Sequence, residues 1–178
     1  AYDKKNGGWS EHFTRDWKPI LQAKPKLQAK PKNCLVGIAG YKNAENHLHL
    51  MEALTELYEV TLDDEVKKSL DEAVSLNAAH FYPKEAGRSR SHCQPDWKEV
   101  TDPSSSRLSF GHNVEFAWLM IRAQKVLGKT PAWDHFYALL NHALTYGYDH
   151  KRGGLYNFGE DDKPASQTDK VWWSQAEM

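Results

Sequence analysis

Residues 2–9 read YDKKNGGW and residues 148–155 read YDHKRGGL, and the recurrence of this phrase decides the fold. The match runs on past the glycines, where Arg15, Asp16, Trp17, Lys18 and Pro19 answer to Glu160, Asp161, Asp162, Lys163 and Pro164. A weaker copy lies between them: Phe81, Tyr82, Pro83, Lys84, Glu85, Ala86 and Gly87, then Asp96, Trp97 and Lys98. Tyr2, Tyr82 and Tyr148 stand 80 and 66 residues apart. That is longer than the period of the common short solenoid repeats, so each period should hold more than one helix.

The intervals between the copies bear this out in pattern. Leu50, Met51, Leu54, Leu57 and Tyr58 recur at helical spacing and predict a helix over about Asn46 to Val60. TLDDE then supplies a cap and first-turn acids for a second helix, about Asp63 to His80, with Val66, Leu70, Ala73, Val74 and Asn77 inward. Past the middle copy, DPSSSRLSFGH reads as a loop into a third helix, about His112 to Leu127, stopped by Gly128. Thr130 followed by Pro131 signals the start of a fourth, ended by Gly147, and a fifth begins near Lys170. No stretch alternates with a period of two for long enough to build a sheet. The phrase is therefore the punctuation of an all-α helical-hairpin repeat, which stacks as an open solenoid or closes as a toroid with inner and outer helices. HLHLME, GHNVEFAW and WWSQAE put polar and aromatic chemistry on helices one, three and five only, which favours the toroid.

Composition excludes several classes. A chain of 178 residues with 40% hydrophobic content suits one globular domain over residues 1–178. Lys plus Arg (23) nearly balances Asp plus Glu (24), leaving no net field for nucleic acid or an anionic membrane, so the expected partner is neutral or small. The longest apolar stretch, Cys34 to Gly40, is too short to span a bilayer, and two cysteines suit a reducing cytoplasm better than a disulfide framework. Residues 21–32, LQAKPKLQAKPK, form a tandem whose prolines deny it a helix and which reads as a surface loop or linker. The chain opens inside a copy of the phrase and stops within a helix, which reads as a portion of a larger protein.

The candidate chemistry lies on the odd helices. His47 and His49 point roughly 200° apart on one helix and cannot easily share a metal, so one packs or faces outward and the other faces the cavity. His112 and Glu115 share a face, with Trp118 three residues further on. A carboxylate beside an imidazole raises its pKa and gives a base poised near neutrality, and an aromatic beside the pair suits the C–H face of a sugar ring. Trp173 and Glu177 likewise share a face. Each pattern alone has an ordinary alternative: a hydrogen-bonded core histidine, a capping histidine with a helical ion pair, a tryptophan in the core. No nucleophile elbow, phosphate loop, dinucleotide fingerprint or paired CxxC competes, and no metal or other cofactor is expected.

These three stretches, with YDKKNGG and RDWKP, resemble the N-acylglucosamine 2-epimerase superfamily, most closely its cellobiose 2-epimerase branch, over nearly the whole chain. The resemblance implies an (α/α)6 barrel, here incomplete, and metal-free interconversion of sugars at C2. In that chemistry the ring opens, the C2 proton is removed, and a cis-enediolate forms. It implies that His112 is one of two acid/base histidines, supported by Glu115, and that His49 assists ring opening or proton handling. Trp118 and Trp173 would line the sugar site. Glu177 would hold hydroxyls or tune a histidine, and Asn46 would contact substrate. Two departures stand out: Glu45 occupies the place of a usual Asn, with Asn46 one place late, and Asn113 replaces a usual Asp. The second histidine and an arginine of the family lie outside this chain, so the 178 residues alone are expected to be inactive. A mannose-type aldose–ketose isomerase is the alternative within the fold. A glycoside hydrolase using Glu115 and Glu177 would leave the histidines without a task, and a non-catalytic carbohydrate-binding or interaction protein is the remaining reading. A homodimer is compatible with each.

Overall fold

The computed structural model describes residues 1–20, 40–100 and 107–178, so the LQAKPK tandem lies outside the described residues. Among the described residues five α-helices follow one another: α1 (Ala44–Thr61), α2 (Asp64–Leu76), α3 (Phe110–Val126), α4 (Trp133–His142) and α5 (Trp172–Glu177). α1 packs on α2 and α3, and α3 packs on α4 and α5. The odd helices thus form one layer and the even helices back it, as expected of part of an α/α barrel. No helix among the described residues is long and apolar enough to cross a membrane.

The repeated phrase is a loop of constant length. In all three copies the backbone N–H eight residues after the tyrosine donates to the carbonyl just before it: Ser10 to Ala1, Arg90 to Phe81, and Tyr156 to Gly147. Inside each loop a glycine N–H also returns to the residue after the tyrosine, Gly7 to Asp3, Gly87 to Pro83 and Gly153 to Asp149. All three glycines have positive φ. The middle copy is therefore degraded in side chains and intact in backbone. Gly8 has φ +73°, and a Cβ there would lie 2.6 Å from the Trp97 ring, so this position needs glycine twice over.

The outer copies add a charge. Asp3 caps the Lys5 and Asn6 N–H groups and accepts from Lys42 at 3.2 Å, and Lys42 also donates to Gly7 O at 2.5 Å and Pro95 O at 2.8 Å. Asp149 repeats the pattern, capping Lys151 and Arg152 and accepting from Lys170 at 2.7 Å, while Lys170 donates to Gly153 O. Pro83 stands where these aspartates would be, so the middle loop has no such pair. Lys42 is 3% exposed in its side chain, a buried cation tolerated because three oxygens surround it and its ammonium lies 4.0 Å from the centre of the Trp97 ring. The next residue, Asn43, is the N-cap of α1 and accepts from Glu45 N. Lys170 stands just ahead of Val171, the N-cap position of α5.

Several boundaries differ from expectation for local reasons. Two ribbons that no period of two could betray, because each strand has two or three residues, join the loops. β1 (Lys42–Asn43) pairs with β2 (His92–Cys93), and β3 (Arg107–Ser109) pairs with β4 (Phe158–Glu160). β3 occupies part of the expected DPSSSRLSFGH loop, and α3 starts at Phe110 because Ser109 Oγ accepts from His112 N. The TP signal at Thr130 is displaced: α4 starts at Trp133, since Ala132 N is held by the Gln124 side chain and its carbonyl accepts from His135 and Phe136. α2 and α4 both end in a π-helical turn, Asn77–Phe81 and Ala143–Gly147, so their chains stay wound to the positions expected. α5 begins only at Trp172, Lys170 being committed to Asp149.

The inner face of α1 is also rotated from the apolar stripe. Buried are Ala44, His47, Leu48, Met51, Thr55 and Tyr58, while Leu57 is 45% exposed. Polar residues enter the core because they satisfy themselves: Thr55 Oγ1 donates to Met51 O at 2.8 Å, and both nitrogens of His47 are engaged. The main core joins α1, α2 and α3 through Leu48, Met51, Leu70, Ala73, Phe81, Tyr82, Phe116 and Met120. A smaller one groups Leu108, Phe110, Val114, Ala143 and Leu155.

Replacing Asp3 with Ala is expected to cost about 2 kcal/mol at neutral pH, the scale of charge-assisted hydrogen bonds lost around a buried lysine. Burial alone would raise the Asp3 pKa, but hydrogen bonds from Asn6, Lys5 and Lys42 outweigh it and hold the carboxyl at about 2. A depressed folded pKa contributes stability that is complete above the ordinary carboxylate range and is lost as pH falls through the folded value. The deficit of Asp3→Ala in urea unfolding should therefore be constant above about pH 5 and shrink toward pH 2; a deficit unchanged at pH 2 contradicts this account.

Candidate functional site

The first two turns of α1, α3 and α5 open onto one cavity of about 690 Å³. α1 contributes Glu45, Asn46 and His49; α3 contributes His112 and Glu115; α5 contributes Trp173 and Glu177, with Val171 just ahead of it. Glu11, Asn157 and Phe158 complete the described lining. Six of the seven residues expected from the sequence are thus brought together. The seventh, Trp118, does not line the cavity: its indole N–H donates to Glu177 Oε2 at 2.8 Å, so it acts on the site by holding that carboxylate.

The two histidines of HLHLME separate as their spacing requires. His47 is buried, with Nε2 accepting from Trp9 N at 3.1 Å and Nδ1 therefore carrying the proton toward Asn43 O at 2.8 Å. Burial lowers its pKa to about 4. His49 has an exposed side chain in the cavity, 3.1 Å from Glu52 and 4.0 Å from Glu115 Oε1.

His112 sits between three groups. Its ring lies 4.7 Å from the Trp173 ring at 33°, its Nε2 is 3.9 Å from Glu115 Oε2, and its Nδ1 is 3.8 Å from Glu45 Oε1. Gly111 makes this approach feasible, because a Cβ there would stand 2.5 Å from Ser174 Oγ and 2.7 Å from Trp173. α5 can then lay its tryptophan against the histidine.

The electrostatics reverse one expectation. A neighbouring carboxylate was expected to raise the pKa of His112 toward neutrality. Instead burial, followed by the charge of His49, lowers it to about 4. Burial is also the first cause that raises Glu115 to about 7, opposed by His49 and reinforced by Glu177, Glu52 and Glu45. Both side chains are largely buried, so desolvation of the charged form outweighs an attraction acting across nearly 4 Å. Near neutral pH the site holds a neutral imidazole beside a carboxyl that shares its proton with solvent.

Asn113 is turned away from the cavity into the core. Its Oδ1 accepts from Ser89 N at 2.9 Å and its Nδ2 faces His142 Nδ1 at 3.4 Å. The departure at this place in GHNVE is thus an adjustment of helix packing, whereas Glu45 adds a carboxylate to the cavity itself. Glu11 and Asn157 were missed, yet both lie nine residues after the tyrosine of their copy. The repeat held that signal, since equal loops deliver equal positions to the cavity.

Comparison with known proteins places the chain among sugar epimerases and isomerases by similarity. The family model described as N-acylglucosamine 2-epimerase matches residues 25–178. A cellobiose 2-epimerase of Bacteroides fragilis is 26% identical over 184 aligned positions, covering 99% of this chain and 43% of that enzyme. A D-mannose isomerase of Thermobifida fusca is 25% identical over 74% of this chain and 36% of its own length. The solved cellobiose 2-epimerase of Spirochaeta thermophila superposes with a TM-score of 0.73 at 25% identity, covering 99% of this chain and 41% of that one. The chain spans about two fifths of the length of the cellobiose 2-epimerases it matches.

The two histidines should respond differently to truncation. His47→Ala leaves the Trp9 N–H and the Asn43 carbonyl without partners and is expected to cost about 2–3 kcal/mol. His49→Ala should change stability by less than about 0.5 kcal/mol. Denaturant unfolding of both variants checks this; equal losses would mean that His47 is not the structural member.

Proposed function

This chain belongs to the N-acylglucosamine 2-epimerase family, and on that premise we propose that it carries one side of the active centre of a sugar 2-epimerase. The observation that carries the reading is the convergence of His49, His112, Glu115, Trp173 and Glu177 on one cavity from three consecutive inner helices. A reducing sugar opens to its aldehyde, which acidifies the C2–H bond. His112, neutral over most of the pH range, takes that proton, and the electron pair moves onto the carbonyl oxygen to give a cis-enediolate. Glu115 keeps a proton up to about neutrality and offers it toward the developing oxyanion. His49 stands at the exposed side, where ring opening requires a proton to pass between sugar oxygens. Trp173 supplies a stacking face, and Glu177 and Asn46 hydrogen-bond hydroxyls.

Return of the proton to the opposite face of C2 gives the epimer, and return to C1 gives the ketose. Relatives named cellobiose 2-epimerase favour a β-linked disaccharide with a reducing-end glucose, and relatives named D-mannose isomerase support the second outcome. The remaining acid/base group is assigned to residues beyond these 178.

The test incubates the full-length protein carrying this chain with cellobiose, mannose and N-acetylglucosamine separately in D2O, with EDTA present, and follows deuterium at C2 by NMR. Exchange is expected with at least one sugar, falling by about 100-fold or more in His112→Ala, and the 178 residues alone should give none. Undiminished exchange in the variant, or none by the folded full-length protein, would contradict the reading.

A further inference from the structure

We propose that His49, His112 and Glu115 form a binding site for a divalent transition-metal ion of the Zn²⁺ class. One ligand atom from each of the three lies within 4.8 Å of the others, and two imidazoles with a carboxylate are a donor set that such ions favour. His112 and Glu115 come from one face of α3 and His49 from the neighbouring α1, so the set is assembled by packing of two helices. Metal bonds of 2.0–2.2 Å in a tetrahedral site separate donors by about 3.4 Å. The nearest pairs, His112 Nε2 to Glu115 Oε2 at 3.9 Å and His49 Nδ1 to Glu115 Oε1 at 4.0 Å, use different carboxylate oxygens, and the set spans up to 4.8 Å, so binding requires closure by about an ångström and release of His49 from its hydrogen bond to Glu52.

A second observation points to a cation at the same place. Glu115 is only 8% exposed, yet its Oε2 accepts no hydrogen bond and faces His112 Nε2. A buried carboxylate oxygen without a donor is costly, and an ion between it and the imidazoles would satisfy it. Glu45 lies 3.8 Å from the other nitrogen of His112, where a carboxylate orients a ligating ring. Glu52 adds a further carboxylate beside His49. The described residues lining the cavity include Glu11, Glu45, Glu115 and Glu177 and no lysine or arginine.

Such an ion would occupy the His112 nitrogen that proton transfer needs, so metal and sugar turnover would exclude each other. That consequence rests on the sugar reading; the binding does not.

The 178-residue chain, stripped with EDTA and dialysed, is titrated with Co²⁺ in sugar-free buffer and read by its visible d–d absorption, then with Zn²⁺ by calorimetry. One equivalent should bind with Kd below about 10 µM. His49→Ala and Glu115→Gln should each weaken it by about tenfold or more, while His150→Ala should leave it unchanged. Absence of saturable binding, or binding undiminished in His49→Ala with an unchanged circular dichroism spectrum, would overturn the proposal. Neither result touches deuterium exchange measured with EDTA, so the two readings fail separately.

Discussion

The geometry of this chain depends on a lysine held by the loop that precedes its helix. Lys42 and Lys170 each reach back to an aspartate and a glycine carbonyl of the repeated phrase, and each stands one residue before the N-cap position of an inner helix. The ion pair therefore sets where α1 and α5 begin. Glu45, Asn46 and His49 follow within two turns of the first anchor, and Trp173 and Glu177 follow the second. Surface ion pairs contribute little, but the first of these is shielded, the second is partly so, and both act by position as well as energy. In the middle copy Pro83 removes the aspartate. The start of α3 is secured instead by the β3–β4 ribbon and by Ser109.

Anchoring the three helices brings their polar first two turns together around one cavity and leaves the His112 and Glu115 side chains largely buried. That burial decides the chemistry. In water a carboxylate beside an imidazole would raise the pKa of the imidazole. Here the cost of burying either charge is larger than their attraction across nearly 4 Å, so both groups move toward their neutral forms. The helices bearing the site also form the main core, and the fold and the site share residues: His47 belongs to one and His49 to the other, two positions apart.

Much of this was legible in the sequence because it depends on periodicity. The duplicated phrase gave the helix pairs, the odd helices gave the cavity, and the spacing of His47 and His49 gave their opposite faces. What escaped depends on individual hydrogen bonds. The inner face of α1 is rotated because His47 and Thr55 find partners in the core, which their residue types do not announce. The start of α4 moved because the distant Gln124 side chain took Ala132 N. Trp118 looked like a platform for a sugar, but its indole N–H found Glu177 first. The ribbons were hidden by length, since a pair of two-residue strands has no period. The pKa values were hidden because burial is a property of the assembled helices.

The central claim is that burial leaves His112 neutral and keeps a proton on Glu115 near neutral pH. The direct measurement is an NMR titration of the chain carrying ¹³C-labelled histidine and glutamate, with His112→Ala and Glu115→Gln to assign the signals. The account requires the His112 ring to stay neutral until about pH 4 and the Glu115 carboxyl to titrate near 7. A His112 ring that protonates at or above its ordinary value of about 6.5, beside a Glu115 already ionised at pH 5, would contradict it.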